Sequence, residues 1–286
     1  MSSRNLLNLV LLITVLVLAS IVVLEPGSSP QPANPRLTSL AQDSIEHVLI
    51  QRDNGQDIEL QKTDGQWRML KPYPLPANDF RMRSLLRLVE AESLSQHDLG
   101  NLERHKFGLD KPKAQVTFNH QSRILFGGNE PLQQHRYVQT GNTLHVINDT
   151  FYYQVAARET TFIDHALLPG QSPLSKLELP ELVIELKDGK WQTTPENKNY
   201  SADAVTDLLN QWRTSQAIEL KPVNKINTER TAKIYFKDQP QPRIFYIQQN
   251  EDESLLVRKD MMLGYVISRD KLENLLHLSA ANDDKP

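Results

Sequence analysis

The chain has no cysteine among its 286 residues. This excludes a disulfide framework, a thiol nucleophile, Cys-ligated zinc and a lipid-modified N-terminal cysteine. There is no surplus of basic charge either. The formal net charge is −3, which gives no electrostatic case for a nucleic-acid partner. Catalytic signatures are missing as well: no G-x-S-x-G, H-E-x-x-H, P-loop or G-x-G-x-x-G pattern occurs. Gly127-Gly128 lacks the Lys-Ser/Thr of a phosphate loop. His97, His105, His120, His135 and His145 are scattered, and no two stand four apart as helical metal ligands do. Asp110 is the most conspicuous carboxylate, but beside Gly108 it suits a turn better than an acid catalyst. No enzyme, cofactor or metal site is expected.

What is present is the composition of a folded protein, with 39% hydrophobic and 23% charged residues. One apolar run, Leu6 to Leu24, is broken only by Asn8, Thr14 and Ser20. It predicts a transmembrane helix over 6–24, about the thickness of a bilayer core. Arg4 before it and Glu25 after it predict a cytoplasmic N-terminus (1–5) and a body outside, as in a signal-anchored, single-pass protein of a bacterial inner membrane with a periplasmic C-terminal domain. Cleavage at Val17-Leu18-Ala19 is the rival reading. Residues 25–42, with Pro26, Pro30, Pro32 and Pro35, read as an extended stalk.

Beyond the stalk the sequence repeats itself. Asp64-Gly65-Gln66-Trp67 returns as Asp188-Gly189-Lys190-Trp191. Met82, Leu85, Leu86 and Val89 are matched in spacing by Val205, Leu208, Leu209 and Trp212, each set one stripe of an amphipathic helix. Four strand-like runs follow in both halves, such as Arg123-Ile124-Leu125-Phe126 and Arg243-Ile244-Phe245-Tyr246. A short helix is also predicted over Leu99 to His105. The expected fold is α+β: a transmembrane helix, then two tandem antiparallel meander units, 43–168 and 174–278, with packed amphipathic helices and a frayed tail over 279–286. Trp67 and Trp191 are expected as core anchors. Arg81, Arg83 and Arg87 read as a solvated helix face.

The halves diverge at Phe107-Gly108-Leu109-Asp110-Lys111-Pro112, which has no counterpart in the second. Phe107, Gly108, Leu109, Asp110 and Pro112 therefore make the candidate interaction turn. This turn, the Trp after an Asp-Gly turn, the proline-bounded crossing and a Tyr-Val strand ending in Val-Ile resemble the uncharacterised "domain of unknown function" family numbered 4340. The resemblance covers about 45–165 well and the second half more weakly. It implies a membrane-anchored bacterial envelope protein found beside ABC-type, gliding-motility auxiliary components. It carries over no catalytic residue.

The expected function is that of a non-enzymatic accessory or scaffold, bound to the inner membrane through Leu6 to Leu24 and to a protein partner in an envelope or ABC-type transport complex. The alternative is a periplasmic binding module holding a lipid, glycan or other envelope ligand in a cleft between the repeats.

Overall fold

The computed structural model describes residues 3–24, 34–131, 134–170, 172–196, 200–250 and 253–278. The first part of the expected stalk (25–33) and the tail (279–286) lie outside them. The chain forms two compact units, Met1–Pro35 and Arg36–Pro286.

In the first unit a helix, α1, runs over Ser3–Leu24. Among the described residues, no helix is long and apolar enough to cross a membrane. This corrects the expected transmembrane helix and signal anchor over 6–24. With it goes the single-pass inner-membrane placement argued from that run, including the cytoplasmic N-terminus and the periplasmic body.

The second unit begins with Arg36. Its first residues already belong to the body: Leu37 is buried, its N–H donates to the Ala91 carbonyl at 2.7 Å, and the Thr38 hydroxyl donates to the Val89 carbonyl at 2.7 Å. The strands that follow are His47–Arg52 (β1), Ile58–Thr63 (β2), Gln66–Lys71 (β3), Ser95–Asp98 (β4), Ala114–Phe118 (β5), Ser122–Asn129 (β6), His135–Thr140 (β7) and Thr143–Asn148 (β8). After them come Leu174–Glu178 (β9), Val183–Lys187 (β10), Lys190–Thr194 (β11), Glu219–Pro222 (β12), Thr231–Phe236 (β13), Arg243–Gln249 (β14), Ser254–Arg258 (β15) and Leu263–Ile267 (β16). They make two eight-stranded sheets, ordered β3-β2-β1-β5-β6-β7-β8-β4 and β11-β10-β9-β13-β14-β15-β16-β12. The second order is the first shifted by eight strands, and every pairing is antiparallel.

Period-two alternation sets which face is buried. In the first sheet Ile50 pairs with Ile58 and Val116, and Val48 with Leu60 and Phe118, all fully buried. In the second sheet Ile247 pairs with Leu256, and Leu256 with Tyr265. The helices covering these faces are short: Asp79–Leu86 (α2), Thr150–Val155 (α3), Ala202–Thr214 (α4) and Arg269–Leu276 (α5). α4 is capped by the Ser201 hydroxyl, which accepts from the Ala204 N–H at 3.1 Å, and Trp212 on it donates to the Leu275 carbonyl at 2.8 Å.

The fold is therefore mostly β, with two sheets and few helices, and not the expected α+β architecture with a membrane helix. Part of the difference is local. The stripe Met82, Leu85, Leu86, Val89 is buried throughout, but α2 ends at Leu86 and the chain tightens into a 3-10 turn over Arg87–Glu90. The helix expected over Leu99 to His105 is instead two 3-10 turns, Leu99–Asn101 and Arg104–Phe107. Asp98 accepts from the Gly100 N–H at 2.8 Å, and the Leu99 N–H donates to the Asn142 carbonyl at 2.9 Å. The first bond closes a local turn and the second holds the chain to the β7–β8 turn, in place of a helical ladder.

Segment 162–167 ties the sheets together. The Asn78 N–H donates to the Phe162 carbonyl (2.8 Å) and the Asp164 N–H to the Pro76 carbonyl (2.9 Å). The Leu167 N–H then donates to the Ser215 carbonyl (3.0 Å) and the Ala217 N–H to the His165 carbonyl (2.8 Å). One strip of backbone thus bonds first to the entrance of α2 and then to the residues leading into β12.

Candidate functional site

The divergent turn is built on a close backbone approach. Gly108 ends the Arg104–Phe107 turn in the left-handed region, φ 67°, where glycine carries no steric penalty. The Leu109 N–H donates to the Arg104 carbonyl at 3.1 Å, and the Arg104 guanidinium returns a bond to the Leu109 carbonyl at 3.0 Å. The turn lies directly on β6. A Cβ on Gly108 would meet the Gly128 nitrogen at 2.9 Å, and one on Gly127 would collide with the Phe107 carbonyl oxygen. This contact explains the glycine at position 127.

Leu109 is fully buried and packs with Leu99 and Leu144 in a small second core, against which Leu102, Phe107, Leu125 and Tyr137 are partly buried. The Phe107 and Tyr137 rings meet edge to face with centroids 5.0 Å apart. Asp110 is exposed, and its carboxylate accepts from the Lys111 N–H at 3.0 Å; it serves the turn. Pro112 is half-buried as the chain enters β5.

Beside the turn lies a hollow of about 500 Å³ whose walls include Phe107, Leu102 and Tyr137 on one side and Leu94, Ser95 and His97 on the other. A second hollow, about 590 Å³, adjoins it through Leu94 and His135. Together they form a groove along β4, the edge strand of the first sheet. Leu94 is 43% exposed at its centre.

Beneath β4 the chain is pinned by a buried histidine. The His145 ring lies 3.0 Å from the Ser93 hydroxyl through Nδ1 and 2.8 Å from the Thr140 hydroxyl through Nε2. Ser93 Oγ gives its own proton to the Ser95 carbonyl at 2.9 Å, so Nδ1 donates to it; in the neutral ring Nε2 then accepts from the Thr140 hydroxyl, which also lies 3.5 Å from the Leu37 carbonyl. That pattern is satisfied by a neutral imidazole. Burial pushes the His145 pKa below the usual histidine value. Nearby, Arg136 is buried and bonds to the Asp149 carboxylate, the Gly127 carbonyl (2.8 Å) and Asn129 (2.8 Å), with its guanidinium 3.6 Å from the Tyr152 ring centroid.

The other residues singled out in the sequence do not join this site. Trp67 is buried in the main core, whereas Trp191 is only half-buried against it. His120 stacks on His47 with centroids 3.7 Å apart. Hydrogen bonds from Lys71 and then His47 hold the neighbouring Glu59 below the usual carboxylate range. His105 is exposed at the surface. Among the described residues no group of three or more His, Asp or Glu is placed to hold a metal. Arg81 and Arg87 part company: Arg87 borders the groove and Arg81 does not.

Arg81 instead faces a hollow of about 390 Å³ where the two sheets meet, with Phe80, Arg158, Thr160, His165 and Glu219. Phe80 is 65% exposed there. Sequence reasoning passed over this hollow and over β4, because neither has a pattern of its own. Ser95–Asp98 does not alternate, and the junction residues come from segments far apart in the chain.

Comparison with known families matches residues 67–232, more than half the chain, to the family described as "domain of unknown function (DUF4340)". The chain belongs to that family. The DUF4340 match takes in the divergent turn, the groove, the junction hollow and the first strands of the second sheet. No curated protein and no solved structure matches the chain.

Proposed function

We propose that this DUF4340 chain is a non-enzymatic docking protein that seats an extended segment of a protein partner in the groove along β4. One observation carries the reading: a groove with one apolar half, walled by Leu94, Leu102, Phe107 and Tyr137, lies against an edge strand. Ser95 and His97, two residues apart on one face of β4, line the groove together with Leu94, Phe107 and Tyr137. Strand addition supplies backbone hydrogen bonds, and side-chain hollows beside the edge supply selectivity. The partner suggested by the family resemblance is a component of an ABC-type transport complex. Co-purification after gentle crosslinking tests the reading. Leu94→Asp, at the exposed centre of the groove, is expected to abolish capture while leaving the fold intact. Equal capture by wild type and variant would refute it.

A second reading has its own observation. The junction hollow sets Asn78, Thr160, His165 and Glu219 beside Phe80, and among the described residues the guanidiniums of Arg81 and Arg158 make no ion pair. This favours a polar ligand such as a glycan, stacking on Phe80, over a lipid. Glycan-array binding that is lost in Phe80→Ala would support it. An array with no reproducible hit would leave the docking reading alone.

A further inference from the structure

At the other end of the chain, the turn between β15 and β16 and the start of β14 enclose a hollow of about 380 Å³ lined by Pro242, Arg243, Ile244, Tyr246, Arg258, Lys259 and Asp260. Three cations face one carboxylate, and the carboxylate is already taken. Arg258 binds Asp260 through two parallel hydrogen bonds of 2.9 and 2.6 Å. Lys259 lies 5.7 Å from the Tyr246 ring centroid. Arg243 lies 5.3 Å from the Phe236 ring centroid, and its Nη1 is buried with no hydrogen-bond partner among the described residues.

Arg136 and Arg52 also have buried side chains, and each has its carboxylate, Asp149 and Glu159, although Arg52 Nε likewise lacks an acceptor among the described residues. Arg243 is half-buried and pairs with no carboxylate among the described residues. Burial, and then the neighbouring Arg258, push its pKa down, the direction expected for a cation lacking its counter-charge. A buried donor without an acceptor is costly, and a charged one more so. At the equivalent corner of the first sheet, between β7 and β8, the turn is Gly141-Asn142, with no basic side chain.

We propose that this hollow binds a small organic anion, with a phosphate or carboxylate head on Arg243 and Lys259 and an apolar body against Pro242, Ile244 and Tyr246. The volume suits a ligand of one ring and a short substituent. A guanidinium matches either head in a forked, charge-assisted geometry. The site is separate from the β4 groove and does not depend on the docking reading.

Calorimetric titration of the full chain tests the proposal, using phenyl phosphate, benzoate and the neutral benzyl alcohol as probes. One of the two anions is expected to bind at a single site, weakening as salt is added, while benzyl alcohol does not bind. The tighter anion identifies the head group. Arg243→Gln is expected to weaken binding by about tenfold or more, since it removes a charge-assisted bond. If that variant does not fold, Lys259→Gln combined with Tyr246→Ala, both at the rim, is expected to weaken binding several-fold. The proposal is overturned if neither anion binds below about 10 mM, or if the folded variants bind as well as the wild type.

Discussion

The carbonyl oxygen of Phe107 occupies the place where a side chain on Gly127 would begin. The interaction turn and strand β6 are therefore in backbone contact, and the groove beside Phe107 takes its shape from that contact. Gly127→Ala must push the turn off the sheet. The expected cost is about 1–3 kcal/mol, the usual range for forcing added volume into a packed site. Denaturant unfolding measures that cost. Loss of the Phe107–Tyr137 edge contact is expected with it, visible as a changed ring environment by NMR.

Arg136 and Asp149 make the most deeply buried ion pair described in the chain. Truncating Arg136 to Ala would leave the Asp149 carboxylate, the Gly127 carbonyl and Asn129 without their donor. The expected loss is about 3–5 kcal/mol. The exposed pair Lys106–Glu103, at 2.9 Å, is the control: Lys106→Ala should change stability by less than about 1 kcal/mol. Comparable effects of the two substitutions in denaturant melts would show that the buried network is not what holds β6 and β7 to the Asp149 turn.

The seat of β4 is expected to respond to pH. The folded-state pKa of His145 is depressed, so the unfolded chain takes up the proton first as pH falls. The contribution of neutral His145 is fully present above the unfolded value, near 6.5, and is lost as pH falls through the lower folded value. Stability should thus decline as pH falls from about 7. His145→Gln, which cannot titrate, should flatten that slope, and an NMR titration should place the His145 ring below ordinary histidines. A His145 ring that titrates like a free histidine would contradict the assignment.

The parts of this fold legible in the sequence are those decided locally. Asp64-Gly65 and Asp188-Gly189 read as tight turns because few residue pairs accept two consecutive positive φ angles, and the backbone takes 51° and 78° in one case, 50° and 76° in the other. Ser201 is equally local: its hydroxyl takes a backbone N–H at the start of α4. The edge strands β4 and β12 are not legible: a strand exposed on its outer side needs no alternation, and pairing with β8 or β16 is decided by residues far away. Missing them made the chain look more helical than it is. The apolar run at the N-terminus was misleading in another way, since composition alone suggested a membrane crossing that no described helix makes. As for sites, the divergent turn stood out because it broke the repeat. The junction hollow and the Arg243 hollow had no sequence signal beyond common basic residues.

The claim that β4 is a docking edge is tested most directly by site-specific photocrosslinking in cells. A photoreactive residue would be placed at Leu94 or His97 in the groove, and at Gln192 on β11, the edge of the other sheet, as control. One discrete crosslinked protein is expected, the same from both groove positions, absent from the β11 position and lost when Gly127→Ala is added. Crosslinks of equal yield and identity from β4 and β11, or none from the groove, would contradict it.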